Sequence, residues 1–243
     1  MIPRVRMFAG PNGSGKSTLA EWLSRNYSVN LYHYVNADMM FAEINDTLKI
    51  ACPLPMESNS LLDFACKSTY PESHKAFFAS QAIHIEDDFV VFSRKSVNSY
   101  TVALLADFFR SEYLANRISF SCETVFSHPS KIELLKTAHD KGFRTYLYFV
   151  ATECPEININ RVASRVKAGG HDVPDEKIVE RFQRCLDNVT AVIPHLDRGY
   201  FFDNSGGGFR YIAELNEGKW TCYTSSVPHW FDKCVYQNFH LGS

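Results

Sequence analysis

The chain has 243 residues, 45% of them hydrophobic, which suits one large domain or one domain with an elaboration. A net charge of −2 and the lack of a long basic run argue against non-specific binding to nucleic acid or to a membrane surface. Seven cysteines are scattered without a C-x-x-C pair, so neither a zinc site nor a disulfide framework is expected, and they read as reduced thiols of a cytoplasmic protein. No apolar run is long enough to span a bilayer, and a first strand beginning at residue 4 leaves no room for a signal peptide.

Arg4–Ala9 reads as a buried strand. It runs into Gly10-Pro11-Asn12-Gly13-Ser14-Gly15-Lys16-Ser17, a full match to G-x-x-x-x-G-K-[ST], followed by a helical pattern over Lys16–Arg25. Glycines at 10, 13 and 15 let backbone N–H groups, with those of Asn12, Ser14 and Thr18, turn toward phosphate oxygens. The helix adds the positive end of its dipole. Lys16 is placed to reach the β- and γ-phosphates of ATP or GTP, and Ser17 to hold Mg²⁺. Leu31–Val35 is a short second strand, with a helix over Met39–Ile44. Asp38 lies between them, at the strand end that faces ligand in an open α/β sheet, and is the first catalytic candidate. Asp also caps helices well, and the two roles are compatible.

The pattern weakens over 46–95, where Pro53 and Pro55 break any helix. Leu61–Lys67 and His74–His84 read as short helices and Phe89–Phe92 as a strand, so this stretch is taken as an insertion, either a substrate pocket or lid or a packing decoration. A helix over Tyr100–Asn116 precedes a strand over Ile118–Cys122, and Glu123 follows the strand directly. That carboxylate is placed to organise Mg²⁺ through water or to position a substrate hydroxyl, or else it is a structural partner of the phosphate loop.

Ser130–Lys141 is helical, Gly142 ends it, and Phe143–Val150 is an apolar strand. The helices Glu156–Lys167 and Glu176–Leu196 flank Gly169-Gly170-His171-Asp172-Val173-Pro174. Arg161 and Arg165 share a face of the first helix, and Arg181 and Arg184 lie on the second. Two helices with arginines around a Gly-Gly turn read as a lid over 156–196, supplying positive charge and excluding water during phosphoryl transfer. Tyr200–Phe202 is a fifth strand, and the Asp203-Asn204-Ser205 stretch after it either offers Asn204 as a rim for the nucleotide or is a turn by composition alone. A hairpin (Phe209–Leu215 and Lys219–Thr224) and a helix over Val227–Phe239 close the chain as a C-terminal extension over 207–243.

Alternating strands and helices give an α/β three-layer fold with a mostly parallel five-stranded sheet, a single domain over 1–243. Right-handed crossovers bring the strands' C-terminal ends to one rim, so Lys16, Asp38 and Glu123 are expected to gather there. A kinase acting on a hydroxyl is the leading expectation. The alternatives are a nucleotide-dependent NTPase or switch, a binding protein that kept the pocket, and a kinase of another metabolite or nucleotide.

These motifs resemble the zeta toxin family of bacterial kinases, in particular its chromosomal zeta-like branch. The resemblance rests on Ala9 to Thr18, Asn36-Ala37-Asp38, Ser119 to Thr124, Arg161-Val162 with Arg165-Val166, Gly169 to Pro174, and Asp203-Asn204-Ser205. It implies a P-loop kinase fold with a five-stranded core. It also implies ATP or GTP with Mg²⁺ as cofactors, and a nucleotide-sugar such as UDP-N-acetylglucosamine, phosphorylated on its sugar 3′-hydroxyl. A separate antitoxin is implied as partner. Under it Lys16 binds the phosphates, Asp38 is the base, Glu123 is the acidic residue after the third strand, and Arg165 with Arg161 lies near the family's lid arginine. The family's second lid arginine falls at His171, which leaves Arg161, Arg181 or Arg184 to take its place. The 46–95 stretch departs from the family's pattern where acceptor specificity is expected.

Overall fold

A computed structural model of the chain describes residues 2–169 and 172–239. In chain order the elements are β1 (Arg4–Ala9), α1 (Lys16–Tyr27), β2 (His33–Val35), α2 (Ala37–Thr47), β3 (Lys49–Ala51), α3 (Ser58–Lys67), α4 (Glu72–Ala79), β4 (Ile83–Glu86) and β5 (Phe89–Phe92). There follow α5 (Ser99–Ala115), β6 (Phe120–Thr124), α6 (Ser130–Asp140), β7 (Arg144–Ala151), α7 (Pro155–Lys167), α8 (Asp175–Val192), β8 (Arg198–Asp203), β9 (Arg210–Asn216) and β10 (Lys219–Cys222). One helical turn, His229–Phe231, then runs into a π-turn, Asp232–Tyr236. The expected closing helix over 227–239 is therefore much shorter.

The fold is α/β, but its main sheet has seven strands rather than five, in the order β10-β9-β8-β7-β1-β6-β2. The expected hairpin does not stand apart from the sheet. β9 pairs antiparallel with β8, and β10 antiparallel with β9, so the hairpin extends the sheet by two strands. A three-stranded sheet, β3-β5-β4, is separate. The chain divides into two compact units, Met1–Tyr32 with Ser121–Ser243, and His33–Phe120.

In the first unit β1 and β8 flank β7, all parallel, with Ala9 opposite Phe149 and Ala151 opposite Asp203. The C-terminal ends of these three strands thus share one rim. Val5, Met7, Phe8, Leu147, Phe149, Val150 and Phe201 are fully buried, the apolar run expected where helices cover both faces of a sheet. The helix α1 packs on β1 and β7, and α6 on β7 and α8. The helices α7 and α8 pack on each other around Val162, Val173 and Ile178.

In the second unit β5 is the middle strand of the small sheet, antiparallel to both neighbours. His84 lies in β4 and not in a helix, because α4 stops at Ala79 and the chain turns through Gln81 at φ 59°. The helix α5 starts with a capping box: Asn98 accepts from the N–H groups of Tyr100 and Thr101, and the Asn98 N–H donates to the Thr101 hydroxyl. Its buried face carries Arg110, which pairs with Asp107, and the Asp107 carboxylate also accepts from the Tyr70 hydroxyl at 2.8 Å.

Candidate functional site

The loop between β1 and α1 is built from close backbone approaches that only glycine permits. A Cβ on Gly10 would lie 2.0 Å from the Val150 carbonyl oxygen, and one on Gly13, at φ 74°, would lie 2.7 Å from the Asn158 carbonyl oxygen. Gly15, at φ 97°, has the Asn204 side-chain nitrogen 2.6 Å from where a Cβ would sit. The loop is pressed against the ends of β7 and β8 and against the first turn of α7.

Side chains complete the hold. Asn158, fully buried, donates its amide N–H to the Asn12 carbonyl, while its amide oxygen accepts from the Thr152 hydroxyl. Asn204 donates to the Ser14 carbonyl at 2.8 Å. Arg181 of α8 approaches the Asn12 side-chain oxygen at 3.4 Å. The Ser14 hydroxyl is fully buried and has no hydrogen-bond partner among the described residues, so a polar group inside this loop stands ready for a ligand.

Lys16 is only 7% exposed, and its ammonium donates to the Pro11 carbonyl at 2.9 Å, across the loop. Ser17, the second residue of α1, donates its hydroxyl to the Glu123 carboxylate at 2.8 Å. Two oxygen donors in contact beside a phosphate loop fit a hard divalent cation such as Mg²⁺. Glu123 lies inside β6 rather than past its end, because the strand runs over Phe120–Thr124 and not over the expected 118–122. Arg117 at φ 54° turns the chain before it. Thr18 is exposed on the first turn of α1.

On the α7 side, Arg161 donates to the Gly206 carbonyl at 3.3 Å, and its other terminal nitrogen is buried without a hydrogen-bond partner among the described residues. Arg165 is exposed one turn further on. Arg184 pairs with Glu180 at 2.6 Å on the outer surface of α8, so of the two α8 arginines Arg181 is the one that reaches the loop. His171 lies outside the described residues. Cys185, fully buried on the inner face of α8, feels the charges of Lys16 and Arg181, although burial dominates and pushes its thiol up to about 12.

Asp38 belongs to the second unit. It is exposed and sits second in α2. It does not cap the helix. Asn36 does, accepting from the N–H groups of Asp38 and Met39 at 2.9 and 3.2 Å, so the Asp38 carboxylate is not needed for capping. Asn158 and Thr152 carry no motif, and reading the sequence missed them. The one available signal was an amide between Ile157 and Ile159 in the first turn of a helix, a polar residue that has to find a partner if it is buried.

A Gly-rich loop that hands a parallel strand to a helix, with a lysine turned across it, defines a P-loop nucleotide-binding fold of the kinase type. Residues 94–206 match the model of the zeta toxin family, a stretch that holds Glu123, Arg161, Arg165, Arg181, Arg184 and Asn204. Over that stretch, a little under half of the chain, it is similar to the zeta toxin family.

The chain is 33% identical over 69 residues to an uncharacterized protein of Haemophilus influenzae, a match over 28% of this chain and 49% of the other. The chain thus spans about half the length of that curated relative. The AvrRxo1-ORF1:-ORF2 crystal structure with ATP superposes with a TM-score of 0.58 at 16% identity, over 96% of this chain and 63% of that one. The PezAT chromosomal toxin–antitoxin system of Streptococcus pneumoniae superposes with a TM-score of 0.54 at 12% identity, over 100% of this chain and 80% of that one. At these identities the superpositions speak to the fold alone. No described helix is long and apolar enough to cross a membrane.

Proposed function

We propose that this protein is a cytoplasmic kinase that transfers the γ-phosphoryl group of ATP or GTP to a hydroxyl of a small molecule. The observation that carries the reading is the buried lysine lying across a closed phosphate loop, with a serine–carboxylate pair beside it. On nucleotide binding, Lys16 exchanges the Pro11 carbonyl for phosphate oxygens, and loop N–H groups hold the rest of the chain of phosphates. Ser17 and Glu123 are the residues that would hold Mg²⁺, which would supply positive charge against the phosphates. Arg161 and Arg181 stabilise the charge that develops on transfer, with Arg165 and Arg184 further out on the same pair of helices. Asn204 fixes the loop floor. Asp38 orients the acceptor hydroxyl and takes its proton.

The zeta-type match favours a nucleotide-sugar acceptor, with UDP-N-acetylglucosamine as the first candidate. The likeness to a toxin–antitoxin system favours a separate antitoxin as partner.

The test is incubation with Mg-ATP and a metabolite pool, followed by mass spectrometry for a gained phosphate. Wild type is expected to phosphorylate one acceptor class. Lys16→Ala is expected to lose both nucleotide binding and transfer. Asp38→Asn should keep ATP binding and lose transfer by about 10²-fold to 10⁴-fold. Steady ATP hydrolysis with no acceptor phosphorylated would point to an NTPase instead, and near-wild-type turnover by Asp38→Asn would remove Asp38 from the chemistry.

A further inference from the structure

Asp203 ends β8 and is 5% exposed. Its carboxylate, an acceptor only, is met by three donors: the Trp230 indole N–H at 3.0 Å, the Ser205 hydroxyl at 2.9 Å and the Ser205 backbone N–H at 3.2 Å. Arg210 stands 3.9 Å away. Trp230 is 2% exposed and comes from the C-terminal turn His229–Phe231, far along the chain from the phosphate loop.

The contacts continue into a closed circuit. The Ser205 hydroxyl, while donating to Asp203, accepts from the Glu153 N–H at 2.8 Å. The Glu153 carboxylate accepts from the His229 N–H at 3.1 and 3.2 Å. His229 is bonded to Trp230, and the circuit returns to Asp203. It ties together the loops that follow β7 and β8, directly through the Glu153–Ser205 hydrogen bond and a second time through the C-terminal turn.

One residue sits inside the circuit without being part of it. Asn204, between Asp203 and Ser205, donates its backbone N–H to the Ala151 carbonyl and its side-chain amide to the Ser14 carbonyl, both at 2.8 Å. That amide occupies the space left by the missing Cβ of Gly15. Fixing both neighbours of Asn204 fixes the amide, and the amide fixes the carbonyl of Ser14 and hence the direction of the loop N–H groups.

We propose that the C-terminal turn is a positioning element of the nucleotide site, acting through Asp203 and Asn204 on the phosphate loop. This rests on the nucleotide-binding reading of that loop. Hydrogen bonds to a charged acceptor are stronger and better directed than neutral ones, so the indole N–H is the contact through which the C-terminal turn acts on Asp203.

The experiment is equilibrium binding of a fluorescent ATP analogue with Mg²⁺ to the full chain and its variants. Trp230→Phe keeps a ring in the buried slot and removes the donor. It is expected to weaken binding about 5-fold to 10-fold, the effect of losing one such hydrogen bond. Ser205→Ala is expected to act in the same direction and serves if Trp230→Phe does not fold. Asn204→Ala should weaken binding at least as much, and either substitution added to Asn204→Ala should then cost nothing further, since both act through that amide.

Fold-changes that multiply in the double variants would overturn the proposal, because a general loss of packing adds where a relay does not. So would a folded Trp230→Phe and Ser205→Ala that both bind like wild type. If wild type and Lys16→Ala bind the analogue equally, the nucleotide reading itself falls, and the proposal with it.

Discussion

Ser17 and Glu123 are far apart in sequence, and a single 2.8 Å hydrogen bond joins them beside the phosphate loop. A hydroxyl that donates to a carboxylate leaves both oxygens able to turn to a cation, whereas a serine bound to a backbone carbonyl would be committed elsewhere. Glu123→Gln keeps the size of the side chain and an oxygen for Ser17 but removes the charge. The expected result is an unchanged fold, with the Mg²⁺ concentration needed for half-maximal transfer raised about 10-fold to 100-fold, as when a group supporting a metal site is lost. A magnesium titration of wild type and variant measures this directly, and superimposable curves would leave Glu123 a packing partner of the loop. Asp38 differs in kind. Asn36 takes the capping work, so Asp38→Asn should leave stability almost untouched while it removes transfer. A fall in the unfolding midpoint as large as the fall in activity would mean that Asp38 is structural.

Among the elements, the phosphate loop was legible in the sequence because glycine and lysine spacing is dictated by phosphate chemistry, and β1, α1, α5, β7 and α7 were legible because burial imposes their periodicity. What holds the loop was not legible. Asn158 sits in the first turn of α7 and Asn204 in a turn after β8, and no local pattern couples either of them to residues 12–14. The hairpin β9–β10 could be read locally, but its pairing with β8 is a contact between distant segments, and this is why five strands were expected and seven are found. Asn158→Ala tests the brace at this scale. It strands the Asn12 carbonyl and leaves the buried Thr152 hydroxyl with only the Cys154 carbonyl at 3.1 Å, so it is expected to lower stability by about 1–3 kcal/mol. Urea unfolding measures the loss, and a cost below a few tenths would mean that Thr152 and Asn12 find water instead.

For the whole molecule, among the described residues no disulfide joins the cysteines, which read from sequence as reduced thiols, and three of them, Cys122, Cys185 and Cys234, are buried. Burial pushes the thiols of Cys52 and Cys234 up to about 11 and that of Cys185 up to about 12. The phenols of Tyr113 and Tyr148 are likewise pushed up to about 12. These groups lie in both compact units, so their effect is a property of the chain and not of one site. Below pH ~8 the folded and unfolded chains both keep these protons, and the groups contribute no pH dependence. Above about 8.5, the ordinary value for a thiol, the unfolded chain releases protons that the folded chain retains. The unfolded state then binds fewer protons, and the free energy of unfolding falls as pH rises toward the folded-state values. The unfolding midpoint is therefore expected to be nearly flat from pH 7 to ~8 and to decline steadily from ~9 to ~11, first through the thiols and then through the phenols. Thermal melts in reducing buffer across that range measure it. A midpoint that holds constant or climbs up to pH ~10.5 would show that the buried thiols and phenols keep ordinary acidity, and that the interior around Cys185 admits water.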